Sequence, residues 1–289
     1  MYAIVGINEN FKCVSVMGKI KLGHISYANS LPVYDSLFEG DVEWDGELIS
    51  SYPARLNELM ANGELDISPV SSIEYAKHQD QYYLVDDLSI NSHGSVFSVL
   101  LASMYSLENL DGKTVGFTEA SATSRTLLRI LLEKEFQLNC KYKDVPIEDC
   151  GEMKGLDAEL IIGDAAFKFK DSYPYCYDLA SEWLRVTGQS IVFAVWVIQK
   201  KSLEKNRDAI IQTIEVLKKS YAMIDKDRVL LKAKKELKID DSELSDYFEA
   251  LGYGLDKNLQ KSLLYFYEKS FELEICPNCD NLQFWNSEL

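Results

Sequence analysis

The sequence predicts an α/β protein built from two lobes. Its 289 residues suffice for about two domains and for a sizeable hydrophobic core. Short apolar runs typical of strands alternate with segments of helical periodicity, and this alternation indicates mostly parallel sheets covered by helices. The run over residues 191–199 is nearly all apolar, as expected for a strand that passes between two lobes.

The predicted lobes form a discontinuous domain pair. Residues 1–103 together with 200–289 are expected to form lobe I, and residues 104–199 lobe II. Two strands that pass between the lobes would serve as the hinge. Ligands of such α/β lobes bind at the carboxyl ends of strands, so the ligand cleft is expected between the lobes.

In lobe I, alternating or fully apolar runs predict strands, while hydroxyl, amide or proline residues predict where helices begin. The predicted strands are residues 19–25, 47–51, 65–70, 82–85 and 88–102, the last interrupted at Gly94. Helices are predicted after residues 29–32 as far as about 38, over residues 53–61 before Asn62-Gly63, and from Ser71-Ser72 to about 77.

Within lobe II, a second unit of strands and helices starts at Asp111-Gly112. Its predicted strands are residues 114–118, 141–145, 160–162 and 191–199, and SATS at 121–124 begins a helix. From residue 206 to 273 apolar residues recur at spacings of three and four, which predicts a helical C-terminal part that returns to lobe I.

Composition and charge exclude several classes of protein. With 30 Lys and Arg against 46 Asp and Glu the net charge is −16, which disfavours binding to nucleic acids and to anionic membranes. No apolar run approaches the roughly 20 residues of a membrane helix. Glu9 and Lys12 interrupt the N-terminal segment where a secretory signal needs an apolar core, so we predict a cytoplasmic protein. Residues 1–16 could be native or an added leader.

The six cysteines are expected to be reduced thiols, because a chain of this size needs no disulfides. Cys276 and Cys279 have a CxxC spacing. That spacing fits either a C-terminal turn or a redox or zinc site, and the latter would need a second pair of ligands. Since all three histidines lie far upstream, we predict the turn and no metal.

Three segments share one pattern, in which a strand is followed by a turn rich in hydroxyl or amide groups and then by a helix. They are residues 27–30, 69–72 and 120–124. A helix N-terminus offers backbone N–H donors and a partial positive charge, and neighbouring hydroxyls add further donors. Together the three turns predict an anion site, although each of them also fits plain helix capping.

Other catalytic patterns are absent or ambiguous. The chain has no GxGxxG, GxxxxGK[ST], HExxH or GxSxG motif. His24, at a strand end, fits a structural role better than that of a base. For His93 the sequence leaves open whether the side chain faces the cleft. For Asp164, which follows an apolar strand, it leaves open whether the residue lines the cleft or caps a helix.

Several sequence blocks resemble one enzyme family. GHISYANSLP at residues 23–32 resembles the opening motif of the MqnA-type chorismate dehydratases of the futalosine route to menaquinone. The similarity continues in DISPVSSIEY at 66–75, LSI at 88–90, residues 94–99, SATS at 121–124, IGDAA at 162–166, residues 178–179, Trp183, residues 187–188 and VFAVW at 192–196. The blocks follow one another in order over residues 19–198.

The resemblance implies a type II periplasmic-binding-protein fold whose lobes close over a small molecule. It implies conversion of chorismate to 3-[(1-carboxyvinyl)oxy]benzoate and water, and because the new aromatic ring supplies the driving force, no cofactor is expected. The related 1,4-dihydroxy-6-naphthoate synthases typically open with a Ser-Pro-Cys-Pro-Asn-Asp-like turn, which differs from the turn after Ser26 here.

The resemblance also implies roles for individual residues. Asn29 matches the family's key polar residue and would hydrogen-bond the reacting ring. Carboxylates would bind to Ser71, Ser72, Thr123 and Ser124, with Ser98, Ser121 and Asp164 as further cleft residues. The three turns contain no Glu, Asp or Lys, so the substrate's own enolpyruvyl carboxylate is the candidate base.

Two other classes of protein share this type of fold. One is a non-catalytic protein that binds a small carboxylate, which should carry a cleavable leader. The other is the ligand-sensing domain of a regulator, which should carry a basic helix-turn-helix segment. Neither feature is evident in the sequence.

Overall fold

The computed structural model describes residues 19–285, whose backbone hydrogen bonds form two separate β-sheets. The strands are β1 Lys21–Ile25, β2 Glu47–Ser51, β3 Ile67–Ser71, β4 Tyr82–Ser92, β5 Val99–Ser103, β6 Thr114–Thr118, β7 Lys141–Val145, β8 Ala158–Ile162, β9 Tyr175–Asp178, β10 Ile191–Gln199 and β11 Leu251–Gly252. The predictions made for residues 1–16, the absence of a secretory signal among them, fall outside the described residues.

Ten α-helices are found in the described part of the chain. They are α1 Leu31–Phe38, α2 Pro53–Ala61, α3 Ser72–Lys77, α4 Ala122–Arg129, α5 Asp164–Phe169, α6 Leu179–Thr187, α7 Lys200–Ala222, α8 Lys226–Leu237, α9 Asp241–Ala250 and α10 Lys257–Glu272. A 3₁₀ turn, Ala28–Ser30, precedes α1, and a π-helical segment, Ile130–Glu135, continues α4.

The two sheets share one topology. The first has the strand order β11-β4-β10-β3-β1-β2 and the second β7-β6-β8-β5-β9. In each, three parallel strands are followed by one antiparallel strand and then by a strand parallel to the first three. The antiparallel strand, β10 or β5, is in both cases the first strand after the chain crosses from the other sheet.

Two strands lie in the sheet opposite to the one predicted. The predicted boundaries put residues 99–103 in lobe I and residues 191–199 in lobe II, whereas β5 pairs with β8 and β9, and β10 with β3 and β4. Both runs are almost completely buried, and an apolar run identifies a buried strand without identifying its partners. Lobe I is therefore built on the first sheet, lobe II on the second, and the chain crosses near residues 93–98 and 188–190.

The predicted strands at 82–85 and 88–102 are also divided differently. β4 runs unbroken from Tyr82 to Ser92 and passes Asp87 at a φ of 55°. Gly94, with a φ of 115°, lies in the turn that separates β4 from β5. Such a φ favours glycine because a side chain would clash with the backbone, so the predicted interruption is where the chain leaves lobe I.

The C-terminal helix spans both lobes. α10 packs against β10 and α3 of lobe I, while its Tyr265 and Phe266 contact Trp183 of α6, with ring centroids 5.8 and 6.1 Å apart. Trp183 and Trp196 are completely buried, in keeping with the core role expected for large aromatic residues. Across residues 19–285, every helix is too short or too polar to span a bilayer.

Cys276 and Cys279 lie in the turn that follows α10, as predicted. Both thiols are free and buried, and burial raises the pKa of each to about 11. They are therefore protonated at neutral pH, which makes them poor nucleophiles.

Candidate functional site

A small cavity of about 50 Å³ lies between the two lobes. Part of its wall comes from residues at or just beyond the carboxyl ends of β1, β3, β6 and β8, which is the edge where the sequence predicted the cleft. Further parts come from β4, β10 and the segment that leads into β5. Of the predicted site residues, those that line it are Asn29, Ser71, Ser98, Ser121 and Ser124.

Asn29 reaches the cavity from the 3₁₀ turn between β1 and α1. Its side-chain oxygen Oδ1 is buried and has no hydrogen-bond partner among the described residues. An unpaired buried polar atom costs about 1 to 3 kcal/mol. Since the assignment of the amide oxygen and nitrogen can be reversed, Asn29 can either accept from a ligand or donate to it.

Ser71, the last residue of β3, also lines the cavity. Its backbone N–H donates to Oδ1 of Asn57 at 3.0 Å, which fixes the residue, yet Oγ is buried without a partner in the described structure and does not cap α3. Ser71, which the sequence pattern predicted as a helix cap, therefore has a hydroxyl that is available to a ligand in the cavity.

Lobe II contributes three hydroxyls. Ser121 caps α4 by accepting from the backbone N–H of Ser124 at 3.3 Å, and the two hydroxyls lie 3.1 Å apart. Ser98 precedes β5, and its carbonyl accepts from the N–H of Gly163 at 2.8 Å. The start of α4 thus presents hydroxyls and the positive end of a helix dipole to the cavity.

Three predicted site residues do not line the cavity. Ser72 of α3 and Thr123 of α4 contact each other across the lobes, with their hydroxyl oxygens 3.2 Å apart. Asp164 accepts a hydrogen bond from the backbone N–H of Ala28, the residue before Asn29. Burial and the nearby Glu236 raise the pKa of Asp164 to about 6.

Tyr27 is a cavity residue that the sequence analysis did not single out. Its ring covers Gly163 of lobe II, where an added Cβ would lie only 3.2 Å from the ring. Gly163 has a φ of 62° and a ψ of −143°, a combination open to glycine alone. The glycine in IGDAA was the available signal for this close approach.

The histidines lie outside the cavity lining. His24 is buried between Ser50 and Ser30, with each ring nitrogen 2.9 Å from a hydroxyl, and burial lowers its pKa to about 4. His93 is exposed and lies 2.9 Å from the hydroxyl of Ser190, where the chain crosses between the lobes. His24 is therefore a neutral structural residue, as the sequence favoured.

The lining combines apolar side chains with hydroxyl and amide groups and carries no formal charge. Of the described residues that form it, none is Asp, Glu, Lys, Arg, His or Cys, and its one titratable side chain is Tyr27, whose pKa burial raises well above the usual value. Hydroxyl and amide groups are weak metal ligands but good hydrogen-bond partners for carboxylates. Over residues 19–285, no three His, Cys, Asp or Glu side chains lie close enough together to hold a metal ion.

A larger groove of about 530 Å³ lies among α7, α8 and α9, with apolar residues such as Val229, Phe248 and Leu251 in its walls. No buried polar atom without a partner is found among the described residues that line it. We therefore assign the ligand site to the smaller cavity, where such atoms converge at strand ends.

Two α/β lobes whose sheets share one strand arrangement, with a cavity between them, define the periplasmic-binding-protein fold. The aliphatic sulphonate binding protein SsuA of Escherichia coli matches with a TM-score of 0.65 and 13% identity over 92% of each chain. A Candida albicans protein described as having the generic periplasmic binding protein fold matches with a TM-score of 0.62 and 13% identity, over 94% of this chain and 100% of that one.

Within that class, the chain belongs to the family described as menaquinone biosynthesis, whose model matches residues 20–272. One curated relative, the chorismate dehydratase of Thermus thermophilus, is 33% identical over 201 residues, which cover 63% of this chain and 70% of the relative. The family expected from the sequence blocks is thereby confirmed.

Proposed function

We propose that this chain is a chorismate dehydratase that converts chorismate to 3-[(1-carboxyvinyl)oxy]benzoate and water. The named relative supports this reaction at 33% identity. The observation that carries the proposal is the pair of buried cavity atoms without partners, Oδ1 of Asn29 and Oγ of Ser71. Such atoms are costly unless a ligand pairs with them.

The substrate has two carboxylates, a ring hydroxyl and a ring C–H bond that must break. A proton leaves the ring carbon that bears the enolpyruvyl ether, its electron pair is delocalised toward the ring carboxylate, and the neighbouring hydroxyl departs with a proton as water. The ring then gains its third double bond. Because aromatisation drives the reaction, the protein has to orient the dianion and stabilise the developing charge.

We assign Asn29 as the catalytic residue that hydrogen-bonds either the leaving hydroxyl or the developing enolate-like carboxylate. Ser71, Ser98, Ser121 and Ser124 are assigned to the two carboxylates, because hydroxyls donate without adding charge and α4 directs its positive end toward the cavity. We reassign Ser72, Thr123 and Asp164 to contacts between the lobes, since none of them lines the cavity.

The proton acceptor in this proposal is the substrate's own enolpyruvyl carboxylate. The lining residues in the described chain include no carboxylate or imidazole, and Tyr27 is too weak an acid to be an anion near neutral pH. The acceptor and the proton belong to one molecule, so the protein only needs to hold the substrate in the folded conformation that brings them together.

The alternative is a protein that binds a small carboxylate without converting it. It is favoured by the fold alone, since the E. coli neighbour is a sulphonate binding protein. The test is to incubate purified protein with chorismate and a metal chelator and to follow products by chromatography with mass detection. Loss of one water with the enolpyruvyl group retained supports the dehydratase without a metal. Saturable chorismate binding without turnover supports the alternative.

Asn29→Ala tests the catalytic assignment. We expect kcat to fall by about 100-fold, the loss typical for removal of one transition-state hydrogen bond, while KM changes less than about threefold. Ser26→Ala is the control, because Ser26 lies in the same loop but is exposed and outside the cavity. Near-normal kcat with only a raised KM in Asn29→Ala would show that Asn29 binds substrate without catalysing.

A further inference from the structure

Residues 28–30, which include Asn29, each contact a side chain from outside the turn. The N–H of Ala28 donates to Asp164 of lobe II. The carbonyl of Asn29 accepts from the hydroxyl of Tyr253 at 2.9 Å. The Ser30 hydroxyl lies 2.9 Å from Nε2 of His24. The turn is only three residues long, so these contacts add to its own local bond from the N–H of Ser30 to the carbonyl of Tyr27 at 3.0 Å.

Of these three partners, only Tyr253 bonds Asn29 itself. It follows β11, more than 200 residues from Asn29 in the sequence and is buried within lobe I. The carbonyl of Tyr253 accepts from the N–H of Ser89 at 2.8 Å. The next carbonyl, of Gly254, accepts from the side chains of Ser89 and Asn91, the latter at 2.8 Å. Tyr253 is therefore fixed to β4, which pairs with β10 and β11 in the first sheet.

We propose that Tyr253 is a positioning residue for Asn29, which sets the direction of the Asn29 side chain by holding its carbonyl. The inference rests on the proposed function, because it assumes that Asn29 acts on the substrate. Tyr253 does not line the cavity and contacts Asn29 only through the main chain, so it has no contact with the reacting atoms.

The geometry explains why one remote hydroxyl matters. The amide of Asn29 extends from the same Cα whose carbonyl Tyr253 holds, so a rotation of that peptide plane moves the amide within the cavity. Within the described structure the side-chain oxygen Oδ1 has no hydrogen-bond partner that would hold it in place. Misplacement of a reacting group by about 1 Å can cost a factor of about 100 in rate.

Burial also keeps the Tyr253 hydroxyl a donor. Its pKa lies well above the ordinary value because the ring is enclosed and lies near Tyr247 and Tyr221. The ring of Tyr221 packs at 5.5 Å between centroids and provides a matched residue for comparison. Its own hydroxyl makes no hydrogen bond within residues 19–285.

The first test compares Tyr253→Phe with Tyr221→Phe. Each variant loses one hydroxyl and keeps its ring, so packing is preserved. We expect Tyr253→Phe to lower kcat about 10- to 100-fold with KM within about threefold of the wild type, and Tyr221→Phe to leave both unchanged. Melting temperatures identify any loss that comes from unfolding. Unchanged kcat in Tyr253→Phe would overturn the proposal.

The second test is a double-mutant cycle in kcat that adds Tyr253→Phe to Asn29→Ala. If Tyr253 acts through the Asn29 side chain, its substitution has no further effect once that side chain is gone. A merely structural role predicts that the two losses multiply, and that result would overturn the proposal.

The wild type separates this inference from the proposed function. If the wild type converts chorismate, the proposed function stands. The cycle of wild type, Asn29→Ala, Tyr253→Phe and the double variant then tests the role of Tyr253 alone. If the wild type binds chorismate without turnover, the proposed function fails, and the same four proteins are compared by their Kd for chorismate. Positioning then predicts that Tyr253→Phe weakens binding only when Asn29 is present, and equal effects in both backgrounds would reject it.

Discussion

Near the carboxyl end of β1, His24 contacts Ser30, the residue after Asn29, but does not line the cavity. Its two ring nitrogens each lie 2.9 Å from a hydroxyl, those of Ser50 and Ser30. A neutral imidazole has one donor and one acceptor, and hydroxyls can adopt either role toward it. Burial lowers the pKa of His24 to about 4, so the neutral ring that supports Ser30, next to Asn29, is the form present near neutral pH.

This environment predicts a pH dependence of stability. The unfolded pKa of His24 is near 6.5 and the folded one about 4, so the unfolded state binds the proton first as the pH falls. The wild type should lose about 2 kcal/mol of unfolding free energy from His24 between pH 7.5 and 5. Urea unfolding at both pH values measures it.

His24→Asn should remove this loss, because asparagine does not titrate. His93→Asn serves as the control, since it makes the same replacement at an exposed histidine. Asp164, whose raised pKa acts with the opposite sign, is present in all three proteins and cancels in the comparison. An equal pH dependence in wild type and His24→Asn would contradict the structural role given to the neutral ring.

At the scale of elements, the hydroxyls at the starts of α3 and α4 have two different roles: some line the cavity and others join the lobes. Ser71 and Ser124 face the cavity, whereas Ser72 and Thr123 face each other across the lobes. Successive residues at a helix start point in directions about 100° apart, so neighbours in one motif serve different surfaces. The backbone N–H of Ala54 adds another bond between the lobes by donating to the carbonyl of Ala120 at 3.1 Å.

Thr123→Val tests whether this hydroxyl pair stabilises the closed lobes. Valine keeps the shape but removes the hydroxyl that contacts Ser72 and also accepts from the backbone N–H of Ile73 at 3.4 Å. Because a hydrogen bond is worth about 0.5 to 1.5 kcal/mol, KM should rise at least about 2- to 10-fold with kcat little changed. Steady-state kinetics of Thr123→Val, Ser72→Ala and the double variant measure the effect. Non-additive changes support the pair, whereas additive ones would instead indicate that each hydroxyl binds substrate separately.

At the scale of the whole molecule, the cavity is too small for its proposed ligand. Its volume of about 50 Å³ compares with roughly 300 to 1,000 Å³ for pockets that hold small molecules. Residues of both lobes form its walls and hydrogen bonds join the lobes around it, so a substrate can enter only if the lobes separate. The two crossings near residues 93–98 and 188–190 are where such a rotation would occur.

Small-angle X-ray scattering tests this separation. A compact chain of this length has a radius of gyration of about 19 Å. We expect the free protein to exceed that value and to contract when 3-hydroxybenzoate, the aromatic part of the proposed product, is added. Thr123→Val should be more open than the wild type before the addition. Identical scattering curves with and without ligand in both proteins would contradict lobe separation.

The sequence by itself determined most elements. The strands at 47–51, 114–118, 141–145 and 191–199 have the predicted bounds, because side-chain periodicity and turn residues are local properties. It also determined where Asn29, Ser71 and Ser121 lie, since turns at the carboxyl ends of parallel strands meet at one edge of a sheet.

The tertiary structure decided the rest. An apolar strand fits any buried sheet position, so only hydrogen bonding assigned β5 and β10 to their sheets. A capping pattern shows where a helix starts but not which surface each hydroxyl faces, so Ser72 and Thr123 could not be separated from Ser71 and Ser124. The bond from Tyr253 to Asn29 joins residues distant in the sequence. Such a contact depends on how complete elements pack, and no local pattern encodes it.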